Sequence, residues 1–271
     1  MQKRRLSLKA RFWLQQALAI LSLIVSTLVL GVIFRSWPIA IAFMLLLLVH
    51  EMGHLLALRV KKLPARGPYF IPLIGAFVTM PRLRKPVDIA FIALAGPFLG
   101  GLGALICYAI AWFASARSCP GMIIPGADIL DLRLCFLFGE GHFWLVLANI
   151  GFYLNLLNLL PMHPLDGGRV APLISKWLFL LGIPLGIYLV FDTFSARTRL
   201  ESAISLITLV LVIASVIMTI MNLRRPSYRI LPASGKTKLT ISLVYLLMVG
   251  VLGAGWFMTY HLMNAVNGFP N

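Results

Sequence analysis

The sequence predicts an all-α polytopic membrane protein with about six to seven transmembrane helices and one short, re-entrant β-like segment. Of its 271 residues, 60% are hydrophobic and only 12% are charged, whereas a soluble domain carries about a quarter charged residues. The apolar residues gather in runs long enough to cross a bilayer, which takes about 20 residues of helix. A soluble fold could not bury this much apolar surface, so the lipid bilayer is the expected surrounding of most of the chain.

Seven apolar runs are predicted to be transmembrane helices. The first is too long for a signal peptide and has no small-residue cleavage site after it, so it is expected to be a retained span. The fifth is short, and it would leave six spans if it only completed the preceding helix. The runs are residues 12–34, 38–58, 89–113, 142–160, 177–191, 203–221 and 239–262.

The basic residues predict the orientation of these spans. The chain has 24 lysines and arginines and a net charge of +16. With the N-terminus placed in the cytoplasm, 19 of the 24 fall on the inner side of the seven-span arrangement, as the positive-inside rule requires. Topology therefore accounts for the charge, and a nucleic-acid partner is excluded because no segment is long enough to form a folded basic surface.

One apolar segment, residues 69–80, is too short to cross the membrane. It lies between Pro68 and Pro81, and a length of twelve residues is typical of a re-entrant or interfacial piece. Its β-branched residues favour an extended conformation, while Pro72 and Gly75 argue against a helix. Extended backbone at membrane depth requires protein or a water-filled cavity around it.

Two carboxylates, Glu51 and Asp166, lie inside or at the edge of predicted spans, where ionisable groups are costly and usually functional. Glu51 belongs to an HExxH sequence, His50-Glu51-Met52-Gly53-His54, late in the second span. On a helix, residues i and i+4 lie one above the other, so both imidazoles can face one metal ion. Glu51 then stands beside the ion as a base for water.

Asp166 is the predicted third metal ligand. A catalytic zinc site takes three protein ligands and leaves the fourth position open. Asp166 lies at the inner end of the fourth span, at the depth expected for His54, whereas Glu140 and Glu201 are predicted to be outside. His163 stays open as a fourth ligand or as a neighbour of the site.

The surroundings of Asp166 carry a resemblance. The stretch Asn158-x-x-Pro161-x-x-Pro164-Leu-Asp-Gly-Gly follows HExxH two spans later, and this pair of motifs resembles the site-2 protease family of intramembrane zinc metalloproteases. The resemblance covers about residues 37–176, including Ala95-Gly96-Pro97 and the GAFV stretch at 75–78. It implies that His50, His54 and Asp166 bind Zn²⁺, that Glu51 is the catalytic acid/base, and that Asn158 supports the site or the oxyanion.

The predicted function is hydrolysis of peptide bonds in membrane-embedded substrates, namely regulated intramembrane proteolysis of single-pass membrane proteins. The alternative is a non-proteolytic metal-binding transporter or assembly factor. Because a substrate helix must unwind before attack, the short segment is predicted to bind it as an added strand, or else to be a plug that only packs. The residues of this predicted substrate site are Gly75, Ala76, Phe77 and Val78.

The chain divides into three predicted parts. Residues 1–36 form a cytoplasmic N-terminus and first transmembrane helix, residues 37–176 an intramembrane metalloprotease core, and residues 177–271 additional C-terminal transmembrane helices. The expected location is a bacterial inner (cell) membrane with the N-terminus in the cytoplasm. Cys119 and Cys135 share a predicted outer loop, where a disulfide stays open, and no sequence feature indicates an oligomeric state.

Overall fold

Helices form most of the chain in the computed structural model, which describes residues 8–118, 141–175, 177–178, 181–182, 184–188, 199–223 and 231–264. Cys119 and Cys135 lie outside these ranges. The elements, in chain order, are α1 Leu8–Phe34, α2 Trp37–Val60, β1 Arg66–Ile71, β2 Gly75–Thr79, α3 Pro86–Ser118, α4 His142–Asn158, α5 Asp166–Ile174, α6 Arg199–Leu223 and α7 Gly235–Asn264.

Four helices of the described chain are long and apolar enough to cross a membrane. They are α1, α2, α3 and α7, and each contains one of the predicted spans. Helix α6 contains a shorter apolar helix, Ser202–Met218, and the predicted fifth span lies only partly within the described ranges. A multi-pass membrane protein is thus confirmed, while the count of six to seven spans stays a prediction.

Close backbone contact joins α2 to α3, and α4 packs against both of these helices. A Cβ atom on Gly53 of α2 would lie 2.2 Å from the carbonyl oxygen of Ala95 on α3, so only glycine permits this approach. The C-terminal end of α2 and the N-terminal end of α3 are joined by an ion pair between Lys61 Nζ and Asp88 Oδ1, 2.6 Å apart. Both contacts hold the HExxH helix firmly against α3.

The predicted β-like segment is a two-stranded antiparallel hairpin. It begins at Arg66, three residues before the predicted start, and pairs Tyr69 with Phe77 and Ile71 with Gly75. Leu73 and Gly75 have φ angles of 66° and 115°, the left-handed conformation that a tight turn needs and that glycine adopts without strain. The single extended run that the sequence predicted is therefore two strands and a turn.

Helix α1 packs against β1, at the edge of the hairpin that faces away from β2. The backbone N–H of Phe70 donates a hydrogen bond to Ser22 Oγ over 3.1 Å, and Phe70 packs in the apolar cluster that contains Leu30 and Phe43. An unpaired N–H would be expensive inside a membrane. The Ser22 hydroxyl removes that cost and fixes the hairpin on α1.

A tight connection between α4 and α5 leads to Asp166. Cβ atoms on Gly167 and Gly168 would lie 2.0 Å from the Leu159 carbonyl oxygen and 2.3 Å from that of Met162, so the connection folds back directly on the start of α5. The hydroxyl of Tyr245 on α7 donates a hydrogen bond to the same Leu159 oxygen. The loop before Asp166 is thus fixed by close backbone contact with Gly167 and Gly168 and by the hydrogen bond from Tyr245 of α7.

Candidate metal centre

Three predicted ligands meet at one point between α2 and α5. His50 and His54 lie one turn apart on α2, and their Nε2 atoms are 3.2 Å from each other. Oδ2 of Asp166, the first residue of α5, lies 3.1 Å from each of those nitrogens. All three side chains are buried. The structure therefore brings together the three residues that the sequence predicted as zinc ligands.

The hydrogen bonds behind the two imidazoles determine which nitrogen faces the centre. His54 Nδ1–H donates to the Ile92 carbonyl oxygen over 2.8 Å, and a carbonyl can only accept. His50 Nδ1–H donates to Asn155 Oδ1, also over 2.8 Å, while the Asn155 amide nitrogen donates to Gly151 O. With both hydrogens on Nδ1, both Nε2 atoms present lone pairs to Asp166.

This donor set fits a zinc ion. Two imidazole lone pairs and a carboxylate oxygen converge in a buried site, where they would repel one another without a cation between them. Ligands about 2.0–2.1 Å from a tetrahedral zinc ion lie about 3.3 Å apart, close to the observed separations of 3.1–3.2 Å. Two histidines and one carboxylate are also a ligand set that catalytic zinc sites use.

Glu51 lies beside this cluster, and one of its two carboxylate oxygens is unpaired within the described part of the chain. Its side chain is 4% exposed, and Oε2 has no hydrogen-bond partner among the described residues. Ligand atoms of His50, Glu51 and His54 all lie within 4.8 Å of one another. Buried carboxylate oxygens are almost always paired, so this oxygen is placed to meet a water molecule or a substrate in the cavity.

Bare backbone of α3 forms the wall behind the metal centre. A Cβ atom on Gly96 would lie 2.3 Å from His54 Nε2 and 2.9 Å from His50 Nε2. One turn later, a Cβ on Gly100 would lie 2.2 Å from Asn155 Oδ1, the acceptor of His50. The sequence predicts these glycines only as aids to helix packing. The structure shows that they leave the space in which the imidazoles sit.

A cavity of about 420 Å³ opens in front of the centre. Arg169, three residues after Asp166, lies on its wall, with Nη1 3.9 Å from Asp166 Oδ1 and 3.6 Å from Met80 Sδ. The predicted substrate-binding residues lie on the same cavity as the predicted ligands. The lining includes Ser26, Leu30, His50, Glu51, His54, Ile71, Pro72, Leu73, Ile74, Gly75, Ala76, Phe77, Val78, Asn158 and Asp166.

Two asparagines of α4 lie near the metal centre. Asn158 lines the cavity, but its amide nitrogen donates to Leu154 O over 3.1 Å, and it is Asn155 that contacts His50. Sequence reasoning missed Asn155. Its signal is the same one that pointed to Glu51, a polar side chain within an apolar span. His163 does not line the cavity.

Comparison with known proteins agrees with this geometry. Residues 38–131 match the model of peptidase family M50. The matched segment belongs to peptidase family M50. This is the site-2 protease family to which the two motifs pointed. The match contains the HExxH helix and the hairpin, and it ends before Asp166.

Curated relatives of the chain include plant proteins. The chain is 30% identical over 160 residues to a protein of Arabidopsis thaliana named probable zinc metalloprotease EGY1, chloroplastic. It is 29% identical over 154 residues to the one named EGY2 from the same plant, and 28% identical over 143 residues to EGY2 of Oryza sativa subsp. indica. These alignments cover 45–49% of this chain and only 26–29% of each relative.

The family bears on three sequence predictions. A zinc metalloprotease and its zinc cofactor are supported by the M50 match, by the relatives' names and by the metal-binding group of His50, Glu51 and His54. Because the relatives are named as chloroplastic, they lend no support to a bacterial inner membrane. The ligand set and the role of Asn158 stay predictions.

Proposed function

We propose that the chain is an intramembrane zinc metalloprotease that hydrolyses peptide bonds of membrane-embedded substrates in regulated intramembrane proteolysis. One observation carries the proposal: the Asp166 carboxylate meets two imidazoles beside the unpaired oxygen of Glu51, and the helix that carries His50, Glu51 and His54 is long and apolar enough to span the membrane. His50, His54 and Asp166 would hold the ion. The M50 match supports the class of chemistry.

Glu51 would carry the proton in this reaction. Zinc, when bound, supplies Lewis-acid polarisation of a carbonyl and makes water more acidic. Glu51 accepts a proton from the attacking water as the new C–O bond forms, and returns it to the amine as the C–N bond breaks. The buried position of Glu51 keeps this proton away from bulk solvent. Asn158, on the cavity wall, is proposed to donate to the developing oxyanion.

The edge of β2 that faces away from β1 is the proposed binding site for an unwound substrate. Because Phe70 N–H points away from β2 toward Ser22, the Tyr69–Phe77 and Ile71–Gly75 pairs are the hydrogen-bonded ones in this antiparallel ladder. The backbone groups of Ala76 therefore point away from β1, as do those of Val78. They are proposed to pair with an extended substrate, since backbone pairing provides affinity without demanding one sequence.

The proposed orientation has the N-terminus in the cytoplasm. It rests on the same excess of basic residues on one side of the spans. Lys61, at the end of α2, is one of these residues, so the metal centre would lie near the cytoplasmic face. Water would then reach the cavity from that side.

Comparing cells that express wild-type protein with cells that express Glu51→Gln tests the proposal. Glu51→Gln removes the proton acceptor and leaves the three metal ligands in place. Cells with the variant should accumulate membrane fragments, seen by proteomics of isolated membranes, that the wild type removes. Identical membrane proteomes, or accumulated fragments that purified zinc-loaded protein does not cleave, would contradict proteolysis. They would favour a metal-binding protein without hydrolytic activity.

A further inference from the structure

Ser26 of α1 is a buried polar residue that the metal centre does not use. Its side chain is 1% exposed, and its Oγ has no hydrogen-bond partner among the described residues. Ser26 nevertheless lies on the wall of the cavity of about 420 Å³ in front of the metal centre, hereafter the central cavity. Glu51, whose Oε2 is also unpaired among the described residues, lies on the same wall. Buried hydroxyls are nearly always hydrogen-bonded, and the position of Ser26 on the cavity wall means that a molecule in the cavity can supply the missing partner.

The neighbouring hydroxyls of α1 show what Ser26 does differently. Serine and threonine in a helix commonly bond to the carbonyl of the preceding turn. Ser22 Oγ donates to Ala19 O, and Thr27 Oγ1 donates to Leu23 O, each over 2.8 Å. Ser26 makes no such bond. Its hydroxyl therefore keeps both its donor and its acceptor capacity for the cavity.

Ser22 shows which kind of group can form a hydrogen bond with a serine of α1. It accepts the backbone N–H of Phe70 from the edge of β1, so a serine of this helix already satisfies an extended backbone at membrane depth. Ser26 follows by four residues, on the same face and about 6 Å further along the axis. It offers the same chemistry on the wall of the cavity in front of the metal centre.

We propose that the Ser26 hydroxyl is a hydrogen-bonding site for the backbone of an unwound peptide substrate in the central cavity. The inference rests on the proposed proteolytic function. Unwinding a substrate helix frees N–H and C=O groups that would be costly to leave unpaired in the membrane. Apart from the metal centre with Glu51, Asn158 and Arg169, Ser26 is the one polar side chain on the described wall of the cavity. It lies on α1, outside the M50 match.

Steady-state kinetics of the full chain, zinc-loaded and reconstituted in liposomes, tests the inference with a single-span peptide substrate. Ser26→Ala should raise KM by about three- to tenfold, the effect of losing one hydrogen bond, with kcat and zinc content unchanged. Ser26→Thr, which keeps a hydroxyl, should stay within about twofold of wild type. Ser215→Ala is the matched control, since Ser215 is also buried and unpaired but does not line the cavity.

A crosslinking experiment gives a readout that does not depend on turnover. Ser26→Cys is combined with Glu51→Gln in a chain whose three native cysteines are replaced by alanine. With an added thiol oxidant such as diamide to take up the two electrons, this protein should form a disulfide with a single cysteine placed in the unwound part of the substrate. Ser215→Cys in the same background should form none, because position 215 does not line the cavity.

Three results would overturn the inference while leaving proteolysis intact. They are an unchanged KM in Ser26→Ala, equal impairment of Ser26→Ala and Ser26→Thr, and no crosslink at position 26 to a substrate that the wild type cleaves. Equal impairment would mean that Ser26 matters for packing and not for its hydroxyl. No cleavage by the wild-type protein itself would instead overturn the proposed function, and this inference with it.

Discussion

Gly96 of α3 lies directly against the imidazole of His54. A Cβ atom at position 96 would approach His54 Nε2 to 2.3 Å, and rigid helix backbone would have to move to relieve the overlap. Gly96→Ala should therefore reduce bound zinc strongly, measured by metal analysis of purified protein. Gly103→Ala on the same helix is the control, since its Cβ would meet its nearest neighbour, Val49 Cγ1, at an ordinary 3.4 Å. Full zinc occupancy in Gly96→Ala would contradict this close approach of α3 to the ligands.

Substitutions within the centre should separate metal binding from catalysis. His50→Ala, His54→Ala and Asp166→Ala each remove a lone pair from the convergent set and should lower zinc content below the one ion per chain expected of wild type. Glu51→Gln should retain the zinc and lose cleavage by at least about a hundredfold, a typical effect of removing a general base. If Asp166→Ala kept full zinc and activity, Asp166 would not be the third ligand.

Asn155 should tune zinc affinity through His50. Asn155→Leu removes the acceptor for His50 Nδ1–H, and loss of such a supporting group typically weakens metal binding by about 10- to 100-fold. Asn155→Asp keeps an oxygen at this position and should bind zinc nearly as tightly as wild type. Competition with a chromogenic chelator measures both. Asn158→Ala, which leaves the hydrogen bonds of both histidines in place, should instead keep zinc affinity and slow cleavage.

Proline substitutions should distinguish a substrate-binding strand from a plug. Ala76→Pro removes an N–H that points away from β1, so the protein should stay folded, keep zinc and lose cleavage. Ala76→Gly keeps this N–H and is the matched control. Phe77→Pro removes an N–H of the hairpin ladder itself and should disrupt the hairpin. Normal cleavage by a folded Ala76→Pro protein would favour the plug.

Cysteine accessibility should establish the topology. From the distribution of basic residues, cysteines at positions Ser7 and Ser234 should react from the cytoplasmic side, and cysteines at Asp128 and Asn271 from the other side. The membrane-impermeant reagent is added to intact and to opened cells or vesicles. Labelling of position 271 from the cytoplasmic side would reduce the count from seven spans to six.

The approach of the three predicted ligands could be anticipated from sequence because the reasons are local. The spacing of His50 and His54 places them on one helix face, and the charged loop residues place Asp166 at a similar depth. Asn155 and Gly96 could not be assigned in this way. Their contacts depend on how α4 and α3 are rotated about their axes, and apolar spans carry little amphipathic pattern to reveal it.

The hairpin shows a second limit. Its length and β-branched residues indicated an extended segment, but the turn consists of Pro72, Leu73 and Ile74, without the asparagine–glycine or aspartate–glycine pair typical of short hairpins. An apolar turn is stable here because it packs on the cavity wall with Leu30 and Phe43. Because tertiary contacts stabilise the turn, the sequence needs no turn motif there. Sequence analysis therefore predicted one extended segment and not two strands.

The hydrogen bond from Tyr245 to Leu159 links a late-synthesised helix to the loop that carries Asp166. Tyr245 follows Asp166 by 79 residues, so it leaves the ribosome well after both metal-binding motifs. Until α7 has inserted, the Leu159 carbonyl lacks its hydroxyl partner and the loop that aims Asp166 is held from one side only. The last described helix to be synthesised therefore completes the support of the loop that carries Asp166.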